Sequence, residues 1–305
     1  MSGQSMHFAP NPPSVSVIIP AYGPSPHLEA VLEALTHGSD QAEEVFVSHS
    51  GDCDPTNRLK ALFPSVTILH TAQRLFAGAA RNRAAKLATS EVLAFCDNDT
   101  VPCPDWVEQI RQYFAEHRTI LVGSVDVARD GGYWGMSTWL CEFSEQTPWQ
   151  TKREQNGGAS CNMAVCSKDL AKVGYFPEGF RAGQDTMVLN SLRSSGLIQM
   201  FEPAIRVGHF NIPGFAQFRT HLFNQGRHFS KVRKSVPMAG HQAVRFWPLA
   251  PALGIAKGAL VLRRLASRKK PMDFVYRLPG IILGIAIWTA GCTYAAATGR
   301  FTGKY

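Results

Sequence analysis

The 305-residue chain predicts an α/β fold, with a mainly parallel central sheet followed by C-terminal apolar helices. Three observations predict it. Short β-branched runs alternate with helix-spaced apolar runs four times in the first third of the chain. That alternation argues for parallel strands joined by right-handed crossovers. Beyond residue 232 the composition turns apolar and basic, which sets the last segment apart.

Residues 14–20 (SVSVIIP) form the first strand, ended by Pro20. Residues 27–36 place Leu28, Val31, Leu32 and Leu35 at helical spacing. A second strand at 44–47 leads into the turn-rich loop 48–56 (SHSGDCDPT), then a short helix at 57–62 and a third strand at 66–69. Residues 78–89 (GAARNRAAKLAT) are rich in good helix formers. The uninterrupted apolar run 92–96 reads as a strand buried on both faces. It runs into Asp97-Asn98-Asp99, and Pro102 and Pro104 stop the extended chain. Two carboxylates closing a buried strand are costly unless something cationic meets them. Further on, 120–127 is a strand, 134–149 is aromatic and loop-like, and 156–165 is a loop entering a strand. Short helices follow at 168–173 and 186–194, with Asp185 placed either to cap the second or to do chemistry.

In parallel sheets ligands sit beyond the carboxyl ends of the strands. Three loops leave there: Ala21-Tyr22-Gly23, 48–54 and 97–99. No GxGxxG follows the first strand and no GxxxxGK[ST] occurs, which disfavours a dinucleotide fold and a phosphate-loop NTPase. The seven cysteines are odd in number and contain no CxxC pair, so reduced thiols are expected and zinc is not. No secretory signal is read at the N-terminus, and residues 1–13 are expected to be a disordered tail. The net charge of +8 is uneven: residues 1–202 carry −7 and residues 203–305 carry +15. The basic residues are interleaved with apolar runs, which points to a membrane surface and not to nucleic acid.

The ordered motifs Ser16–Tyr22, Gly51 with Asp54 and Thr56, Ala80-Arg81-Asn82, Asp97-Asn98-Asp99 and Gly183-Gln184-Asp185 resemble those of family 2 glycosyltransferases. The resemblance covers roughly residues 14–230 and implies the GT-A fold, as a domain over residues 14–232, and an inverting enzyme. It implies that Pro20, Ala21, Tyr22, Asp52, Asp54, Arg81, Asp97 and Asn98 bind a nucleoside-diphosphate sugar, with a UDP-sugar favoured. It implies that Asp97, Asp99 and His209 hold Mg²⁺ or Mn²⁺ at the diphosphate, and that Asp185 is the general base. Two departures stand out. Gln184 occupies a position where an acid is common, and His49-Ser50 precede Gly51 where the family usually carries an acid. Asp52 and Asp54 are then the carboxylates left for the nucleobase. A nucleotidyltransferase and a non-catalytic membrane scaffold on the same fold are the alternatives.

Residues 233–305 are expected to be basic, apolar membrane-association helices. Residues 217–234 read as an amphipathic helix, with Phe218, Leu222 and Phe229 opposite Arg219, Arg227, Lys231 and Arg233. Two apolar runs follow, 246–262 and 279–298; the second, uncharged, is long enough for a bilayer core of about 30 Å. The linker 263–277 carries six basic residues, so placing it across the membrane would offend the positive-inside tendency. The first run is therefore expected in the interface, and the second to cross once or to pack beside it. The expected location is the cytoplasmic face of the cell membrane, with a glycan or lipid-linked acceptor.

Overall fold

The computed structural model describes residues 12–266 and 271–301. Most of the expected N-terminal tail, and Arg268, Lys269 and Lys270 of the basic linker, lie outside the described residues.

The first half of the chain is built from β1 (Val15–Tyr22), α1 (Leu28–Thr36), β2 (Glu44–Ser50), α2 (Thr56–Leu62), β3 (Val66–Thr71), α3 (Ala77–Ala85), β4 (Val92–Cys96), β5 (Thr100–Pro102) and α4 (Trp106–Glu116). β6 (Ile120–Arg129), α5 (Gly132–Phe143), β7 (Arg153–Glu154), β8 (Asn162–Cys166), α6 (Ser167–Lys172), α7 (Gln184–Ser194) and β9 (Gln199–Phe210) complete the body. The strands form one sheet in the order β3-β2-β1-β4-β8-β6-β9-β5, with β7 on β9. β3, β2, β1 and β4 are mutually parallel, as the alternation requires. Beyond β4 the sheet is mixed, because β8 runs antiparallel to both β4 and β6, while β6 and β9 are parallel.

Both faces of the sheet are covered, which explains why β4 reads as continuous apolar sequence. Val15, Val17 and Ile19 share a core with Leu28, Val31 and Leu32 of α1 and with Trp106 and Ile110 of α4. Ile18, Leu93 and Phe95 point the other way, onto Ala84 of α3 and Val188, Leu189 and Leu192 of α7.

Several expectations are corrected. β1 runs through Pro20 to Tyr22. Its pairing with β4 ends at Ile18, so Pro20 interrupts no ladder on that side. Residues 134–149 are not a loop in their first part: α5 occupies Gly132–Phe143. α7 starts at Gln184 with Gly183 as its N-cap residue, so Asp185 lies in the first turn and is not the cap.

The tail packs on this body. α8 (Phe215–Ser235), α9 (His241–Arg245), a 3₁₀ turn (Trp247–Leu249), α10 (Ala250–Ala266) and α11 (Pro271–Thr298) follow in order. α11 lies along α8, with further contacts to α5 and α10. Val261, Leu265 and Ile281 belong to the same core as Trp139, Leu140, Phe218 and Leu222. The approach is close enough that a Cβ at Gly226 would overlap the Trp288 carbonyl, and one at Gly291 the Phe223 carbonyl. Arg227, expected on the polar face of α8, is buried, and its Nε donates to the Arg300 carbonyl at 3.1 Å. Among the described residues one helix, Val275–Thr298, is long and apolar enough to cross a membrane, yet 44% of its most apolar stretch is buried in the protein. Tyr276 and Ile282 of α11, Ile255 of α10, and Phe246 and Trp247 at the 3₁₀ turn before α10 are exposed.

Candidate active site

Parallel strands deliver their carboxyl ends to one edge, and the helices that follow point their N-termini there. β4 delivers Asp97, Asn98 and Asp99 to that edge, α3 brings Arg81, the first turn of α7 brings Asp185 and the end of β9 brings His209. Arg81, Asp97, Asp99, Asp185 and His209 line one cavity of about 250 Å³. Glu142 of α5 and His221 of α8 complete its charged wall.

Arg81 is 1% exposed and pairs through Nη2 with Asp97 Oδ1. Its Nε and Nη1 are buried without a partner. A buried guanidinium with two unmet donors is costly unless an acceptor arrives, and a phosphate is the acceptor its fork fits. Asp99 Oδ2 stands 3.8 Å from His209 Nε2. His209 Nδ1 lies 2.7 Å from Asn211 Oδ1, an amide oxygen that can only accept, so Nδ1 donates there and Nε2 is the nitrogen left facing Asp99. Burial, with repulsion from Asp97 and Glu142, outweighs the attraction of His209 and pushes the Asp99 carboxyl up to about 6.

These features test the fit of a divalent cation. A carboxylate oxygen and an imidazole nitrogen that face each other, in a pocket too rich in carboxylates, suit a hard or borderline cation. Among the described residues no cluster of three or more His, Cys, Asp or Glu side chains forms a closed metal site. Asp99 and His209 alone would leave most positions of a divalent cation to oxygens from elsewhere. Asp97 is turned to Arg81.

Asp185 Oδ1 accepts from the Thr186 amide at 2.7 Å. Burial raises its carboxyl above the usual aspartate range, against the lowering effect of that amide and of Arg81. A raised carboxyl makes a stronger proton acceptor. Gly183 sets its position: φ is +85°, and a Cβ there would stand 2.5 Å from Val232 of α8.

The remaining expected donor residues lie along the same strand-end edge but do not line this cavity. Pro20 and Ala21 are buried within β1. Tyr22 is half-exposed, with the Arg74 guanidinium 4.3 Å above its ring. Asn98 donates to Ser25 Oγ at 2.8 Å. Asp52 is exposed, and Asp54 accepts from the Thr56 amide at 2.9 Å, at the start of α2. The histidine that replaces the expected acid, His49, is buried and faces His70, the Nδ1 atoms being 3.0 Å apart.

Glu142 and His221 were not legible as site residues. His221 Nε2 lies 3.0 Å from Glu142 Oε2, across 79 residues of chain. Burial alone would push Glu142 up and His221 down; their mutual attraction instead lowers the carboxyl and raises the imidazole. Each partner therefore favours the charged form of the other. Trp139 and Phe143, from the stretch taken for a loop, are also cavity walls. The aromatic character of Trp139 and Phe143 suits sugar stacking and was visible in the sequence, whereas no local signal marks Glu142 or His221, which only the packing of α5 and α8 brings to the strand edge.

The model of glycosyl transferase family 2 matches residues 16–174. A glycosyltransferase of Haloferax volcanii, AglE, is 27% identical over 183 residues, covering 57% of this chain and 59% of that protein. A pre-mycofactocin glycosyltransferase of Mycobacterium tuberculosis is 24% identical over 217 residues, covering 66% of this chain and 44% of its own. The chain thus spans about half the length of the curated relatives it matches. Among solved structures, the mannosyltransferase PcManGT of Pyrobaculum calidifontis, in complex with GDP-Man and Mn²⁺, superposes with a TM-score of 0.60 at 18% identity. The likeness covers 95% of this chain and 87% of that one, so the fold extends through the C-terminal helices.

Proposed function

The chain belongs to glycosyl transferase family 2, and on that footing we propose that it is an inverting, hexosyltransferase-type enzyme. It would move a sugar from a nucleoside-diphosphate donor to a glycan or lipid-linked acceptor of surface polysaccharide synthesis. One observation carries the reading: a buried arginine with two unmet donors, an Asp–His pair facing each other and a carboxyl of raised basicity line one cavity. Those are the groups that a departing diphosphate and an incoming hydroxyl need.

In the proposed step the acceptor oxygen forms a bond to the anomeric carbon as the bond from that carbon to the diphosphate oxygen breaks. The hydroxyl proton goes to Asp185, and the bonding pair leaves with the nucleoside diphosphate. Arg81 would donate its free Nε and Nη1 hydrogens to the leaving phosphates, held in place by Asp97. Mn²⁺ or Mg²⁺, held by Asp99 and His209, would supply neutralisation of the charge that builds on the diphosphate. The Glu142–His221 pair would border the sugar. Tyr22, Asp52 and Asp54 would face the nucleoside, with UDP favoured.

The mannosyltransferase complex with GDP-Man and Mn²⁺ supports a nucleotide-sugar donor and a divalent ion. The exposed apolar residues of α10 and α11, flanked by basic side chains, support docking at the cytoplasmic face of the membrane. Asp185→Asn tests the reading. It should lower kcat by roughly 10²–10⁴-fold while leaving nucleoside-diphosphate affinity unchanged. A variant that turns over at the wild-type rate would remove Asp185 from the mechanism.

A further inference from the structure

Phe223, Arg227 and Lys231 recur at every fourth position of α8 and so form one stripe on its surface. At the end of α11, Gly299 takes a left-handed φ of +69° and turns the chain back, which brings Arg300 and Phe301 against that stripe. With Tyr294 of α11 they enclose a cavity of about 640 Å³. It shares no lining residue with the cavity at the end of β4.

Arg227, Lys231 and Arg300 line this cavity, and no acid does. Arg227 is 7% exposed and its partners are neutral: Nε donates to the Arg300 carbonyl at 3.1 Å and Nη1 to Asn224 Oδ1 at 3.2 Å. Lys231 donates to the Gly179 carbonyl at 2.9 Å. Among the described residues none of the three cations forms an ion pair. Asp273, the one acid in residues 203–305, sits in the first turn of α11, about 30 Å from Tyr294 along the helix. Glu178, next to Gly179 in the chain, accepts from Asn82 at 2.8 Å and faces Lys86. The end of α11 offers only about half a negative charge, and Lys234 also draws on it, donating to the Ala296 carbonyl at 2.8 Å. His228 feels the uncompensated field: burial first, then Arg181, Arg227 and Lys231 push its imidazole down to about 4. A buried guanidinium with no anion is costly, and that cost is relieved when an anion binds. Guanidinium and ammonium groups together suit the oxygens of a phosphoryl group. The rings of Phe223, Tyr294 and Phe301 suit an apolar or aromatic body attached to it.

We propose that this cavity is a second anion site, separate from the transfer cavity, which takes a phosphoryl group carried on an apolar or aromatic body. The carrier is a soluble phosphate ester or an anionic lipid headgroup, and the chemistry at Arg227 is the same for both. The site stands apart from the transferase reading and does not depend on it. Its occupation would tie α8 to the end of α11, and α8 carries His221 to the transfer cavity and Val232 against Gly183.

The test has two arms, both on the full chain at constant ionic strength. Calorimetry measures binding of phenyl phosphate, and co-sedimentation measures retention on phosphatidylcholine vesicles with and without phosphatidic acid. Arg227→Met should weaken binding of the phosphoryl ligand at least about tenfold, whereas Arg81→Met, in the transfer cavity, should retain it. Arg300→Gln should weaken it severalfold; its side chain is exposed, so it keeps the test valid should Arg227→Met fail to fold. With a soluble carrier, the two tail variants lose phenyl phosphate and keep vesicle binding. With a lipid carrier, they lose the added retention that phosphatidic acid confers. No binding by the wild type in either arm, binding that both tail variants leave unaltered in both arms, or binding that only Arg81→Met removes would overturn the proposal.

Discussion

The Arg81–Asp97 pair permits a prediction in which stability and binding part company. Asp97→Asn leaves Arg81, 1% exposed, with no anion and two donors already unmet. Breaking a fully buried pair in this way costs about 3–5 kcal/mol. Because the Asp97 side chain is 32% exposed, the cost falls below that range, at about 2–3 kcal/mol. Arg81→Met removes the cation together with its unmet donors and puts a flexible apolar chain in their place. The double variant Arg81→Met/Asp97→Asn should therefore recover most of the lost stability. It should not recover function. Two charge-assisted hydrogen bonds to phosphate, at about 1.5–3 kcal/mol each, correspond to a loss of at least about a hundredfold in nucleoside-diphosphate affinity. Urea unfolding of the three variants gives the stability cycle, and calorimetric titration with the nucleotide gives the binding cycle. If Asp97→Asn is as stable as the wild type, or Arg81→Met binds nucleotide normally, the role given to this arginine is wrong.

The Asp99 carboxyl, held at about 6, makes cation binding pH-dependent. The ion requires the carboxylate, so Mn²⁺ affinity should fall by at least about tenfold for each pH unit below 6, as a titration from pH 4.5 to 7.5 would reveal. The sign for folding is opposite. A raised carboxyl stabilises the metal-free protein most at low pH, and this contribution should decline as pH rises from about 4 through 6. Gly291→Leu should destabilise the fold by about 1–3 kcal/mol or more, because its side chain would strike the Phe223 carbonyl and part α11 from α8; unchanged thermal unfolding would show that the helices are not docked.

The first half of the site was legible because it is local. A buried strand that ends in Asp97-Asn98-Asp99, and a helix that carries Arg81, announce themselves in short segments. The second half depends on packing. α5 read as a loop because it is covered by the sheet core, α8 and α11. With no solvated face it has no polar stripe, and its Gly, Ser, Thr and Trp are poor helix formers. Glu142 was hidden with it. The amphipathic reading of α8 found Phe218 and Leu222 but put Arg227 in solvent, since sequence does not reveal that Tyr294 and Arg300 come to lie over it. Lys257 looked like an interruption in an apolar run; only the fold turns it inward to the Cys141 carbonyl.

The central claim is that the cavity at the end of β4 holds a nucleoside diphosphate together with a divalent cation. Thermal unfolding of the full chain with UDP, GDP, dTDP and CMP, each with and without Mn²⁺, tests it most directly. A ligand at about a hundred times its Kd adds about 2.7 kcal/mol to the folded state. At least one nucleoside diphosphate, UDP first among them, should raise the midpoint by several degrees with Mn²⁺ and by little without it. A midpoint that no nucleotide moves, with or without the metal, would contradict the account.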